Sequence, residues 1–276
     1  MITTRRSQKV LFALAAVFLL ILVSAALAAA RVAPYDPTEQ FLDRRFQAPS
    51  LQNPLGTDNY GRDILSRIIY GSRSALIVGF VTVTMALVIG STFGLFSGLG
   101  SRAVDSVLML LMDSILSFPT ILLAITVVSF LGYGLPQVML ALGIISSPMF
   151  ARLVRAETLS IKTEGYVEAG RALGTPVIKI VFKHIIPNLL GKLVVQCSIT
   201  FALSVVVEAS LSYLGLGTQP PGASWGLMLK DARNYLIQAP WMAVYPGLCL
   251  AFTVLSFNII GDTLSERLNP RLTGSS

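Results

Sequence analysis

Residues 74–100 contain no charged side chain. Coiled as a helix at 1.5 Å per residue, that stretch is about 40 Å long, enough to cross a hydrocarbon layer of roughly 30 Å. Water offers such a segment nothing, so it commits the chain to a bilayer. Similar apolar runs cover residues 10–30, 106–131, 134–151, 193–214 and 240–261. Inside a membrane every backbone N–H and C=O needs a partner within its own segment, so each run is read as a helix. The expectation is therefore an all-α membrane protein with six transmembrane helices. Composition agrees: 13% charged residues, against about 25% in soluble domains, and a mean hydropathy of +0.72. The first run exceeds the 7–15 apolar residues typical of a signal peptide. It is read as a retained helix, although Ala26-Leu27-Ala28 resembles a cleavage site.

The loops carry the remaining information. With the N-terminus inside, thirteen of the Lys and Arg residues fall on the inner side and eight outside, six of the eight in the first outer loop. The positive-inside rule then places both termini in the cytoplasm. That first loop, residues 31–73, ends in GTDNYGRDILSRIIYGSR. Its pattern predicts a turn at Gly56 and a short amphipathic helix lying on the membrane surface, with Asp63 and Arg67 paired at i,i+4. Gly90, Gly94 and Gly98 form a small-xxx-small stripe suited to close helix packing. Trp225 and Trp241, in an outer loop over residues 217–241, read as anchors at the headgroup level.

Several function classes are excluded. A net charge of +7 without a basic tract or an aromatic–arginine platform does not describe a nucleic-acid binder. There is no GxxxxGK[ST] phosphate loop and no GxSxG elbow, and a single histidine, His184, rules out an HExxH zinc site. No catalytic, cofactor-binding or metal-binding residue is expected. Cys197 and Cys249 read as buried free thiols. Only Asp113 and Glu208 are ionisable within the six spans, too few for a proton or ion relay. If the chain transports, its energy comes from another chain. A carrier or channel working without an ATPase is the rival reading.

The most polar interruption is EGYVEAGRALGTPVIKIVFKHIIPN, residues 164–188. Tyr166, Ala169, Gly170 and Leu173 share one helical face. Gly174 is placed to end that helix in the left-handed conformation. Thr175 is placed to cap the next helix and Pro176 to fill its first position. Ile178, Val181, Phe182 and Ile185 form a second apolar stripe. The product is two short helices meeting at a corner on the cytoplasmic side.

Those residues also carry a family resemblance. EAGRALG (168–174), nine residues, then HIIP (184–187) resembles the EAA loop of permease subunits in ABC importers, with Gly170 in place of the second Ala. PLGTDNYGRDILSRIIYGSRSAL (54–76), EASLSYLGLGTQPPGASWGLML (208–229) and FNIIGDTLSERLNPRL (257–272) resemble the dipeptide/oligopeptide/nickel branch, and within it the second, C-type permease. The resemblance implies the type I ABC importer permease fold with cytoplasmic EAA coupling helices. It divides the chain into residues 1–30 (first helix), 31–73 (outer loop), 74–263 (five-helix core with coupling loop 157–187) and 264–276 (tail). It implies a homologous second permease, two ATP-binding subunits that hold ATP and Mg, and an extracytoplasmic substrate-binding protein. No cofactor is expected on this chain. Coupling to the ATPase falls to Glu168, Ala169, Gly170, Arg171, Leu173 and Gly174. The translocation pathway falls to neutral polar groups such as Gln196, Ser198, Thr200, Ser204 and Asn258, with Glu208 either meeting solute near the outer face or fixing the LGLG turn. Relatives in this branch move dipeptides, longer peptides, nickel chelates or glutathione.

Overall fold

The computed structural model describes residues 2–268. The end of the tail, with Arg271 and the close of the FNIIGDTLSERLNPRL motif, lies outside the described residues. The described chain is helical: α1 (Ile2–Leu27), α2 (Ala29–Val32), α3 (Ile64–Leu99), α4 (Arg102–Leu116), α5 (Thr120–Leu131), α6 (Leu135–Lys162), α7 (Gly165–Ala172), α8 (Val177–Ile180), α9 (Ile186–Leu214), α10 (Trp225–Ala232) and α11 (Trp241–Leu268). Five segments are long and apolar enough to cross a membrane: Ser7–Leu27, Ile64–Leu99, Leu135–Lys162, Val177–Leu214 and Trp241–Glu266.

The third predicted span is not one helix. It breaks at Ser117-Phe118-Pro119 into α4 and α5, which meet at 92°. Pro119 supplies no N–H to the preceding turn and its ring pushes Phe118 out of helical geometry. The count of six spans holds only with this bent pair taken as one.

The short amphipathic surface helix predicted after the Gly56 turn, with Asp63 and Arg67 on it, is a second correction. Those residues are the first turns of the 36-residue α3, and no structural break falls at the expected 73/74 boundary. Asp63 does not pair with Arg67. It is the N-cap, accepting from the Ser66 amide (2.8 Å), and its other oxygen accepts from Asn53 Nδ2 (2.8 Å). Arg67 is buried instead, donating to the Pro37 carbonyl (3.0 Å) and lying 3.9 Å from Asp58. Arg62 joins Asp58 (2.6 Å) to Asp231 of α10 (2.9 Å). Residues that looked like the wet face of an amphipathic helix are the polar core of a folded cap.

The tryptophans belong to the same cap. Trp225 is buried and donates to the Ile68 carbonyl (3.2 Å), and Trp241 donates to the Thr57 carbonyl (3.2 Å). Trp225 ties α10 to α3 and Trp241 ties the start of α11 to the loop before α3; Trp225, being buried, is not the free headgroup anchor expected. Ile64, Ile68, Met228, Ala232 and Met242 pack around Trp225, so the cap sits on an apolar floor formed by α3, α10 and α11.

In the membrane layer α3 and α6 pack closely along the glycine stripe. A Cβ on Gly90 would stand 2.3 Å from the Ser147 carbonyl, and one on Gly94 2.6 Å from the Ala151 carbonyl. The two backbones therefore touch where only hydrogen fits between them, which is the packing the small-xxx-small spacing predicts.

The fifth span also differs from expectation. The predicted span over 193–214 is the C-terminal part of a longer rod, Val177–Leu214, in which α8 passes through one π-helical turn (Val181–Ile185) into α9. Pro187 does not end it. The wide turn, closed by the Ile186 amide on the Val181 carbonyl, stands just before a residue that has no N–H to continue the α register. The His184 carbonyl accepts from Asn188 Nδ2 (2.7 Å).

Candidate coupling corner and translocation cavity

Beyond the end of α6 the chain turns through Thr163 and Glu164 into α7, which is fixed to the molecule by one buried side chain. Val167 packs with Val154, Ile161, Ile180, Val181, Ile185 and Leu189. Around it, Tyr166, Glu168, Ala169, Leu173 and Gly174 are exposed, Leu173 at 87%, and Gly170 is half-buried. The side chain of Arg171 lies outside the described residues.

The corner forms as the sequence predicts at Gly174 (φ +79°). The Leu173 amide closes a last α turn on the Ala169 carbonyl (3.1 Å), and the Thr175 amide donates to the Gly170 carbonyl (3.0 Å), the 6→1 bond of a Schellman stop. The cap after it differs. Pro176, not Thr175, is the N-cap of α8, and its carbonyl accepts from the Lys179 amide (3.0 Å). The extended ψ of Pro176 (142°) starts the helix one residue late. The predicted stripe also shifts. Val181 and Ile185 are buried with Ile180 and Leu189, whereas Ile178 and Phe182 are exposed, because the π turn rotates the face that meets α6. Tyr166 lies against His184 with the rings tilted by 55° and 5.2 Å between them, and braces the two arms of the corner.

Above this corner, between the α4–α5 break, α6 and α9, lies a cavity of about 280 Å³. Leu116, Thr120, Ser146, Met149, Gln196, Thr200, Leu203 and Ser204 contribute to its wall. Three of the six predicted pathway residues meet here. Gln196 Nε2 donates to Thr200 Oγ1 (3.3 Å), and Ser204 Oγ donates to the Thr200 carbonyl (2.7 Å). Apart from these three, Thr120 and Ser146, the wall is apolar, which gives a solute few strong holds.

Glu208 and Asn258 do not join them. Glu208 is buried one turn outward of Ser204, accepting from Ser212 Oγ (2.6 Å) and Thr218 Oγ1 (3.4 Å). Ser212 Oγ also accepts from the Thr218 amide (2.9 Å). Of the two roles expected for Glu208, fixing the LGLG turn fits this geometry. Asn258 is exposed on α11, and is not among the residues that form the cavity wall. Ser198 is turned toward α11, where a Cβ on Gly261 would meet it at 3.1 Å. Sequence reasoning missed Thr120 and Ser146. The Pro119 break, which sets Thr120 at a helix start inside the membrane layer, was the signal for the first.

Comparison with known proteins now decides the family. The family described as "Binding-protein-dependent transport system inner membrane component" matches residues 90–274. The chain belongs to this family. It is 42% identical over 228 residues to the dipeptide transport system permease protein DppC of Alkalihalophilus pseudofirmus, covering 83% of this chain and 75% of the relative. It is 42% identical over 259 residues to the glutathione transport system permease protein GsiD of Pectobacterium atrosepticum, covering 94% and 86%. Among solved structures, the MetNI methionine ABC transporter in inward-facing conformations aligns with a TM-score of 0.62 at 22% identity, over 74% of this chain and 96% of that one. The fold is that of type I ABC importer permeases. The chain is a multi-pass membrane permease subunit of an ABC importer, and the rival reading of a carrier or channel working without an ATPase is set aside.

Proposed function

We propose that this permease forms half of a transmembrane pore that carries short peptides inward, and that the α7 corner is where an ATP-binding subunit grips it. The observation that carries the coupling role is the corner itself. A helix stop at Gly174, an apolar anchor at Val167, and an otherwise bare face around Glu168, Ala169 and Leu173 make a rigid knob that lacks only a socket. One arm of that knob runs without interruption into α9, the helix that carries Gln196, Thr200 and Ser204 on the cavity wall. Movement of the corner is thus transmitted to the pathway by a stiff rod.

The assembly follows from this. A homologous permease supplies the other half of the pore, two ATP-binding subunits hold and hydrolyse ATP with Mg, and an extracytoplasmic binding protein delivers solute to the cap. This chain itself hydrolyses nothing. The bias of Lys and Arg toward the α7 side supports a cytoplasmic corner and cytoplasmic termini. The names of the dipeptide and glutathione relatives support a peptide-like solute. The test is co-expression with candidate partner subunits and measurement of ATP-dependent peptide uptake into proteoliposomes. Uptake that needs all the subunits supports the reading; gradient-driven uptake by this chain alone contradicts it.

A further inference from the structure

Inward of the cavity, two ion pairs flank the route. Arg152 stands one turn beyond the wall residue Met149 and Asp113 one turn beyond Leu116. Arg152 Nη2 donates to Asp113 Oδ1 at 2.7 Å and Nε at 3.2 Å, linking α6 to α4. Lys192 stands one turn beyond Gln196 and pairs with Glu157, linking α9 to α6. At 100° per residue, Arg152 and Glu157 lie about 140° apart around α6. Between them the exposed Ala156 and Ser160 continue the line of Met149 toward α7. The charges therefore stand on both sides of an open strip that leads out of the cavity.

Exposure separates these pairs from the other ion pair at this level. Arg155 grips Asp105 with two bonds of 2.5 and 2.6 Å, Ser97 also donates to Asp105, and the two side chains are 33% and 21% exposed. That contact is a fixed clamp. Arg152, Asp113 and Lys192 are each half-exposed and Glu157 is 21% exposed; each of the two pairs thus has a cation open to water, and such ion pairs contribute little to stability and break easily.

We propose that Asp113, Arg152, Glu157 and Lys192 form a zwitterion-handling ring at the inner mouth of the cavity. It takes solutes that carry both an ammonium and a carboxylate group, each internal ion pair opening to engage one end. This rests on the peptide reading above and deepens it. A lining of one sign would hold one peptide terminus and repel the other. A ring of two self-neutralised pairs offers Arg152 and Lys192 to the carboxylate and Asp113 and Glu157 to the ammonium, and closes again behind the solute without leaving a charge unpaired.

The experiment uses the complete importer in proteoliposomes with its binding protein and ATP. Uptake of alanyl-alanine is compared with that of its N-acetyl and C-amide forms. Because one binding protein delivers to parent and variant alike, its own preference cancels in the variant-to-parent ratio. Arg152→Gln and Lys192→Gln are expected to lower uptake of the two free-carboxylate forms about 3- to 10-fold, the size of one lost charge contact, and to spare the amide. Asp113→Asn and Glu157→Gln should do the converse, sparing the N-acetyl form. Ratios that are unchanged, or lowered alike for all three peptides as a purely structural pair would give, overturn the ring. A second readout does not depend on delivery of the capped forms. In a Cys197→Ser, Cys249→Ser background, alanyl-alanine should slow maleimide labelling of Ala156→Cys, on the exposed strip between the two pairs, in the nucleotide-free complex, and absence of slowing also overturns the ring. A parent importer that takes up none of the three peptides refutes the peptide reading itself, an outcome distinct from uptake that ignores the four charges.

Discussion

Gly174 and Gly170 stand four residues apart in the same corner, and the structure assigns them opposite responses to alanine. Gly174 has φ +79°, and a Cβ there meets nothing within 4 Å. Its replacement is therefore resisted by backbone conformation alone, at roughly 1–2 kcal/mol for an L-residue in the left-handed region. That shifts the balance between closed and frayed corner about 5- to 30-fold. Gly170 lies within α7, and a Cβ there would meet Thr175 Oγ1 at 3.7 Å, an ordinary contact. Gly170→Ala should stabilise the helix by up to about 1 kcal/mol through propensity. The assay is hydrogen exchange at the Thr175 amide, whose bond to the Gly170 carbonyl closes the corner, read beside the ratio of solute moved to ATP hydrolysed. Gly174→Ala should speed that exchange about 5- to 30-fold and lower the coupling ratio. Gly174→Asn should do less, since Asn tolerates this region, and Gly174→Pro, fixed near φ −65°, should abolish coupling. Gly170→Ala should slow exchange or leave it unchanged. Equal exchange rates for Gly174→Ala and the parent would refute the conformational argument.

Other consequences follow from the same geometry. Gly94→Ala places a methyl 2.6 Å from the Ala151 carbonyl; separating α3 from α6 should cost about 1–3 kcal/mol, seen as a lower melting temperature in detergent. Asp105→Asn, which breaks the bidentate clamp with Arg155, should destabilise more than Asp113→Asn, whose half-exposed pair is worth at most about 1 kcal/mol; equal melting temperatures would contradict this. Glu208→Ala should release Ser212 and Thr218 and raise exchange at the Thr218 amide, with Glu208→Gln retaining most protection because it can still accept the Ser212 hydrogen bond.

The sequence was most legible where one physical cause dominated. Absence of charge marked the membrane helices, and the Gly90/Gly94/Gly98 spacing marked the α3–α6 contact. Gly174 marked the corner because few other residues suit its φ. It was least legible where side chains were amphipathic in pattern but committed to tertiary partners. Asp63 and Arg67 have the spacing of a surface ion pair, yet Asp63 caps α3 and Arg67 is buried in the cap. The bond each makes depends on Asn53, Asp58, Asp231 and Pro37, brought in by loops whose path no periodicity encodes. Trp225 looked like a lipid anchor for the same reason. Polarity alone placed Gln196, Thr200 and Ser204 together because they share one face of α9, and it failed for Asn258 because burial on α11 depends on which neighbour that helix meets.

The central claim is that the bare face of α7 is the surface an ATP-binding subunit grips. Cross-linking from single cysteines at Glu168, Ala169 and Leu173, in a Cys197→Ser, Cys249→Ser background of the complete importer, measures it directly. The account predicts a covalent product between each of the three and an ATP-binding subunit, with yields that change when ATP is added. Cross-links absent at all three positions, or formed only with lipid-facing reagents while uptake remains intact, would contradict it.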